Sequence, residues 1–171
     1  MRNIVLLIVP LLIINCMDKP KPAEPISGFE LDKYLGKWYE IARLDHRFER
    51  GLQNVSAEYS LKANGTVKVV NRGFKNDKWK QAIGQAKFAD SEDVGFLKVS
   101  FFGPFYGSYI IFELDKENYQ YAFIAGDNTN YLWFLSRTPT VNNQLMDRFI
   151  SKAKELGFNT DNLIFVEQNK N

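Results

Sequence analysis

The sequence holds a single cysteine, Cys16, and a single histidine, His46, in 171 residues. One cysteine excludes a disulfide within the chain, so stability must come from packing and backbone hydrogen bonds. One histidine and one cysteine cannot build a metal site of the usual clustered kind, and nothing in the sequence implies a cofactor. Neither sign of charge predominates: 22 basic side chains face 20 acidic ones. A nucleic-acid binder carries a clear basic excess, so nucleic acid is excluded as an expected partner. No G-x-S-x-G elbow is present, which removes that route to a serine nucleophile. Long apolar runs are scarce as well. The one example, Ile4 to Ile14, is interrupted by Pro10 and is shorter than the ~20 residues that a membrane-spanning helix needs. With Arg2 ahead of it, the run reads as the h-region of a signal peptide over residues 1–15.

What is present begins where that run ends. Ile13-Ile14-Asn15-Cys16 resembles a bacterial lipobox, in which the cysteine is acylated, with palmitate or a similar chain, and cleavage precedes it. Asn15 departs from the small residue usual at that place. Cys16 is therefore the expected lipidation site, and two or more acyl chains would anchor the protein stably, because one alone is marginal. Residues 16–27 include the polar, proline-rich stretch Met17 to Pro25, which reads as an extended, semi-rigid tether. Met17 after the cysteine resembles an outer-membrane address. The expected location is thus the bacterial outer membrane, lipid-anchored and facing the periplasm.

Residues 28–171 read as one all-β domain. Eight strand-like runs follow at short, even spacing: 37–45, 56–62, 66–74, 79–88, 96–102, 108–115, 119–126 and 131–138. Turn residues separate them, most clearly Asn64-Gly65, a strong hairpin signal. Ala57, Tyr59 and Leu61 alternate with polar neighbours, as do Leu97, Val99 and Phe101, so one face of each run is apolar. Closing such an antiparallel meander removes its unpaired edges. Eight strands enclose a space that side chains can fill or one small ligand can occupy. Tyr109 to Phe112 and Tyr131 to Leu135 are apolar on both faces and need an outer cover. Val141, Leu145, Phe149, Ala153 and Leu156 repeat at helical spacing and supply it, with Thr140 as the expected N-cap and Gly157 as the stop. A short strand over 162–168 ends the domain.

These segments together resemble the lipocalin family, nearest to its bacterial outer-membrane and apolipoprotein D branch. Gly36-Lys37-Trp38-Tyr39 is similar to the family's G-x-W motif, and Tyr131 to Pro139, with Arg137, resembles the region at its eighth strand. Lys98 to Gly107 and Val69 to Gly73 add to the likeness. The second family motif is degraded to Leu114-Asp115, with Tyr121 taking up the strand tyrosine. The resemblance implies an eight-stranded up-and-down barrel with one helix packed outside. It implies that Arg137 lies over Trp38 and seals the base of the barrel, a structural role. It also implies a cavity for a fatty acid or a lysophospholipid, stored or transported at the cell envelope. Strand parity from Arg137 turns Tyr131, Trp133 and Leu135 inward. Similar counting nominates Tyr59, Val69, Leu97, Val99, Phe101, Tyr109 and Tyr121 as cavity wall.

Four loops fall at the open end: 44–55, 75–78, 103–107 and 127–130. Phe105 and Tyr106 lie on one of them, where they would gate the mouth, touch a membrane or join a partner. A homodimer is one such arrangement. Catalysis is not expected: Asp45 and His46 are adjacent in sequence, but neighbours in a strand point to opposite faces. The readings left beside ligand binding are a solid-core envelope interaction protein and a lipid-modifying enzyme.

Overall fold

A computed structural model describes residues 21–168. The expected signal peptide, Cys16 and the start of the tether lie outside the described residues. Eight antiparallel strands run in chain order: β1 (Gly36–Leu44), β2 (Gln53–Leu61), β3 (Val67–Lys75), β4 (Lys78–Phe88), β5 (Phe96–Phe102), β6 (Phe105–Leu114), β7 (Tyr121–Ala125) and β8 (Leu132–Ser136). Each pairs with the next, and β1 closes the barrel against both β8 and β2. The β1–β2 ladder covers only Gly36 to Tyr39. Beyond it, β9 (Leu163–Phe165) pairs with Ala42 to Leu44 of β1. The Gln168 amide then donates to the carbonyls of Glu40 and Val55, both at 2.8 Å, and bridges β1 to β2. The chain end therefore fills the gap that the short ladder leaves.

The turns match their residues. Gly65 holds φ +79° in the β2–β3 connection, a conformation that costs glycine nothing. Asn76 and Asp77, at φ 52° and 57°, make the two-residue turn between β3 and β4, as short polar side chains tolerate.

Two apolar clusters share the barrel wall. The inner one gathers Trp38, Tyr59, Val69, Leu97, Ile124 and Leu135, among others. The outer one lies under α2 (Asn143–Glu155), where Phe149 meets Phe123 and Phe134 at ring centroids 5.0 and 5.1 Å apart. Alternation sends Phe123 and Phe134 out and Ala122 and Leu135 in, as their cross-strand pairing requires. Val141, Leu145 and Leu156 line the same outer cluster.

Several boundaries differ from the sequence reading. The helix is capped by Asn142, not Thr140: the Asn142 side chain accepts from the Leu145 amide at 2.8 Å. Both residue types cap well, and two residues of spacing decide which one meets the first turn. β6 starts at Phe105, so Phe105 and Tyr106 belong to a strand rather than a loop. The final strand has three residues, because Thr160–Asn162 forms a 3-10 turn first. A short helix, α1 (Leu31–Tyr34), precedes the first strand; four residues are too few for a periodic signal.

Candidate ligand lumen

The lumen has a sealed floor, an apolar middle and a polar upper part. At the floor the Arg137 guanidinium stands 3.9 Å from the centre of the Trp38 ring. Its N–H groups go to backbone carbonyls: Nη1 to Lys37, Nη2 to Lys33 and Leu35, and Nε to Tyr119, at 2.7 to 3.2 Å. Trp38 itself donates to the Tyr34 carbonyl at 2.8 Å and is fully buried. Gly36, at φ +91°, puts its Cα close to the guanidinium; a Cβ there would sit 3.5 Å from Nη1. Residues from α1, β1, β6–β7 and β8 thus meet at one cation–π contact. Burial lowers the Arg137 pKa, but its charge persists, because guanidinium starts near the top of the protein range.

Above the floor, three tyrosines join through their hydroxyls. Tyr109 lies 2.6 Å from Tyr34 and 2.9 Å from Tyr59, oxygen to oxygen. Burial pushes all three hydroxyls well up, so they stay protonated in any ordinary medium. They are donors and acceptors, not bases.

The upper part is polar although buried. A bulge between Glu40 and Ala42 shifts the alternation of β1. Glu40 points inward, Ile41 and Ala42 both face the outer cluster, and Arg43 turns inward again. Arg43 Nη1 donates to Glu40 at 2.6 Å, and Nη2 donates to the carbonyls of Glu49 and Leu52 in the β1–β2 connection. The Glu49 carboxylate accepts from Trp133 Nε1 at 3.0 Å and lies 2.8 Å from His46 Nε2. Burial and the neighbouring Glu49 carboxylate hold the Glu40 pKa well above the carboxylate range, against the pull of Arg43. Burial opposes charge on Glu49 too, but hydrogen bonds from His46 and Trp133 outweigh it and hold that group low. Arg43 Nε and Asn71 Oδ1 are buried without a hydrogen-bond partner. Such atoms are costly unless something polar meets them.

The expected wall residues fall into three groups. Tyr59, Val69, Leu97 and Leu135 are buried in the inner cluster. Val99, Phe101, Tyr109 and Trp133 are half-buried against it, and Tyr131 stacks on Trp133 with centroids 6.0 Å apart. Tyr121 is a correction. It packs in the outer cluster against Phe123, at 5.3 Å. It pairs with Ser136, one residue from inward Leu135, so it shares the outer face. Asp45 and His46 part as expected: Asp45 is exposed and pairs with Arg50 at 2.7 Å, whereas His46 is buried. They lie past the end of β1, so the turn rather than strand alternation separates them.

Sequence reasoning missed Glu40, Arg43 and Glu49. Parity from Trp38 would have found Glu40. Arg43 needed the bulge, and Glu49 needed the fold of the connection; neither leaves a local signal. Two depressions, of about 620 and 550 Å³, lie on the outside of the barrel and not in the lumen.

The family model described as a Lipocalin-like domain matches residues 29–168. The chain belongs to the lipocalin family. Lipocalins are binders of hydrophobic ligands. Outer membrane lipoprotein Blc of Vibrio cholerae is 55% identical over 170 residues, covering 98% of this chain and 99% of that protein. The Blc protein of Escherichia coli is 43% identical, covering 92% and 90%. Apolipoprotein D of Rattus norvegicus is 33% identical, covering 69% and 66%. Among solved structures, insecticyanin from Manduca sexta superposes with a TM-score of 0.71 at 18% identity, covering 89% of this chain and 87% of that one. The outer-membrane lipoproteins among these lipocalins place the chain at the bacterial outer membrane, as its sequence led us to expect.

Proposed function

We propose that the lumen takes up a single-chain lipid, a fatty acid or a lysophospholipid, and stores or carries it at the outer membrane. The observation that supports this is the lumen's polarity gradient. An apolar middle sits beneath a buried polar cluster in which Arg43 Nε has no partner among the described residues, and on the inner face of β3 Asn71 Oδ1 has none among them either. An acyl chain gains ~25 cal/mol per Å² of apolar surface it buries. A carboxylate or phosphate at its end gives the unused Arg43 N–H an acceptor, and a hydroxyl gives Asn71 Oδ1 a donor. On β4 the inward positions, by its pairing with β3, are Ala82, Gly84 and Ala86; the Phe101 ring packs on Gly84 and Ala86 is buried, whereas Ala82, nearer the mouth, is small and exposed. Arg137 cannot serve as the headgroup partner, since the backbone already occupies it.

The test is direct. Protein extracted with organic solvent should release co-purified lipid, and an added fluorescent fatty acid should bind near one to one. A protein that yields no lipid and ignores the probe is a solid-core barrel and ends the proposal. Hydrolysis of a lysophospholipid by the pure protein would instead make it an enzyme.

The anchor belongs to the same proposal. Cys16 carries the acyl groups and the barrel faces the periplasm; the tether expected over residues 16–27 is shorter at its far end, because Ala23 and Ile26 already pack on the barrel and Ile26 hydrogen-bonds to Ile111 and Gly95. Cys16→Ser should release the protein from the membrane fraction or leave it unprocessed. Processed protein that stays with the membrane would exclude Cys16 as the anchor.

A further inference from the structure

The loops and hairpin tips at the open end carry large apolar side chains that nothing covers. The β3–β4 hairpin ends with the cross-strand pair Phe74 and Trp79, whose rings meet edge-on at 5.5 Å. The β5–β6 hairpin ends with the pair Phe102 and Phe105. Trp79 is 62% exposed, Phe102 69% and Phe105 79%. Phe48, in the β1–β2 connection, is exposed too, with the Arg47 guanidinium 4.9 Å from its ring. β4 and β5 are neighbours in the barrel, so the two aromatic tips stand side by side on one arc of the rim.

Charge divides along the barrel in the same sense. Among the side chains of the open-end connections that solvent reaches, Arg47, Arg50, Lys75 and Lys78 outnumber Asp45, Asp77 and Asp127, and Lys80 adds to the basic side; the fourth carboxylate there, Glu49, is buried. On the sealed-end hairpins the balance reverses: Asp90, Glu92, Asp93, Asp115 and Glu117 face only Lys62 and Lys116. The barrel thus has a basic, aromatic mouth and an acidic floor.

We propose that this rim is a membrane-docking surface, which seats the mouth on a phospholipid surface carrying anionic lipid. Aromatic rings settle at the headgroup level of a bilayer, and flanking lysines and arginines are drawn to its negative potential. The acidic floor is repelled by the same potential and orients the barrel mouth-first. A lipid could then pass between bilayer and lumen without crossing water. That purpose rests on the lumen reading; the docking itself does not.

The contacts of the described residues begin at Ala23, so a chain starting at Met17 retains all of them. This chain should float with vesicles of phosphatidylethanolamine and phosphatidylglycerol, and less with phosphatidylethanolamine alone. Trp79 is the one exposed tryptophan, so its emission should shift blue and be quenched by acyl-brominated lipid. Joint replacement Trp79→Ser, Phe102→Ser and Phe105→Ser should cut vesicle partition more than about tenfold. Lys78→Glu with Lys80→Glu should cut it on anionic vesicles, and salt should do the same. All five positions are exposed, and each variant should still bind fluorescent fatty acid in solution. Wild type that binds the fatty acid but stays off every vesicle overturns the docking and leaves the lumen reading intact. Wild type that floats but binds no fatty acid upholds the docking and sinks the lumen reading. A dimer in solution that the triple serine variant splits, with no flotation in either, assigns the rim to a second copy and overturns the proposal.

Discussion

Two arginines point into this barrel, and they behave as opposites. Arg137, at the floor, spends its donors on backbone carbonyls and its face on Trp38. Arg43, in the upper part, bonds to the Glu40 carboxylate and to a loop, and keeps Nε unused. Backbone acceptors cannot titrate or swing away, so the floor is a clamp. A carboxylate such as Glu40 can do both, so the upper part is adjustable. An arginine's role inside a barrel is therefore set by what accepts its hydrogen bonds, more than by its burial.

The comparison breaks most visibly at the floor. Trp38→Ala removes a fully buried ring and the surface beneath Arg137, and should lower unfolding stability by about 3–5 kcal/mol. Denaturant melts with unchanged slope would read it. The fraction that stays folded should still bind fatty acid, because the polar cluster is untouched. Stability near wild type would mean that the clamp does not hold the barrel together.

The floor was also the part that the sequence spelled out. Trp38 and Arg137 stand in recognisable surroundings, and the strands between them alternate cleanly enough to count. The outer helix was legible because Phe149 and Ala153 repeat at 3.6-residue spacing against two-sided apolar strands. The upper lumen was not legible. Its geometry turns on one bulge in β1, which changes which face Arg43 meets, and on a connection that brings Glu49 and His46 over the mouth. A bulge is set by how neighbouring ladders fit together, which no short stretch encodes. Tyr121 failed for a related reason: its inward assignment lacked the pairing with Ser136 that fixes its face.

A smaller effect sharpens the contrast, because it is a slope against pH rather than a loss. Glu40 has its folded pKa raised by burial and by the Glu49 carboxylate. The folded chain keeps that proton where the unfolded chain has released it. Its stabilising contribution is thus complete below the ordinary carboxylate range and is lost as pH rises through the raised value. Glu49 runs the other way: its folded pKa is lowered, so its contribution is present above the ordinary range and lost as pH falls through that lowered value. Glu40→Gln keeps the neutral shape and an oxygen for Arg43 but cannot titrate. Thermal midpoints measured across pH should therefore lose their decline on the alkaline side of the carboxylate range, while the acid-side fall governed by Glu49 remains. Trp38→Ala, by contrast, should lower the whole curve without changing its shape, since neither Trp38 nor Arg137 changes charge in that window. An alkaline-side decline that survives in Glu40→Gln would show that the upper cluster holds no proton of its own, and the two arginines would no longer differ in kind.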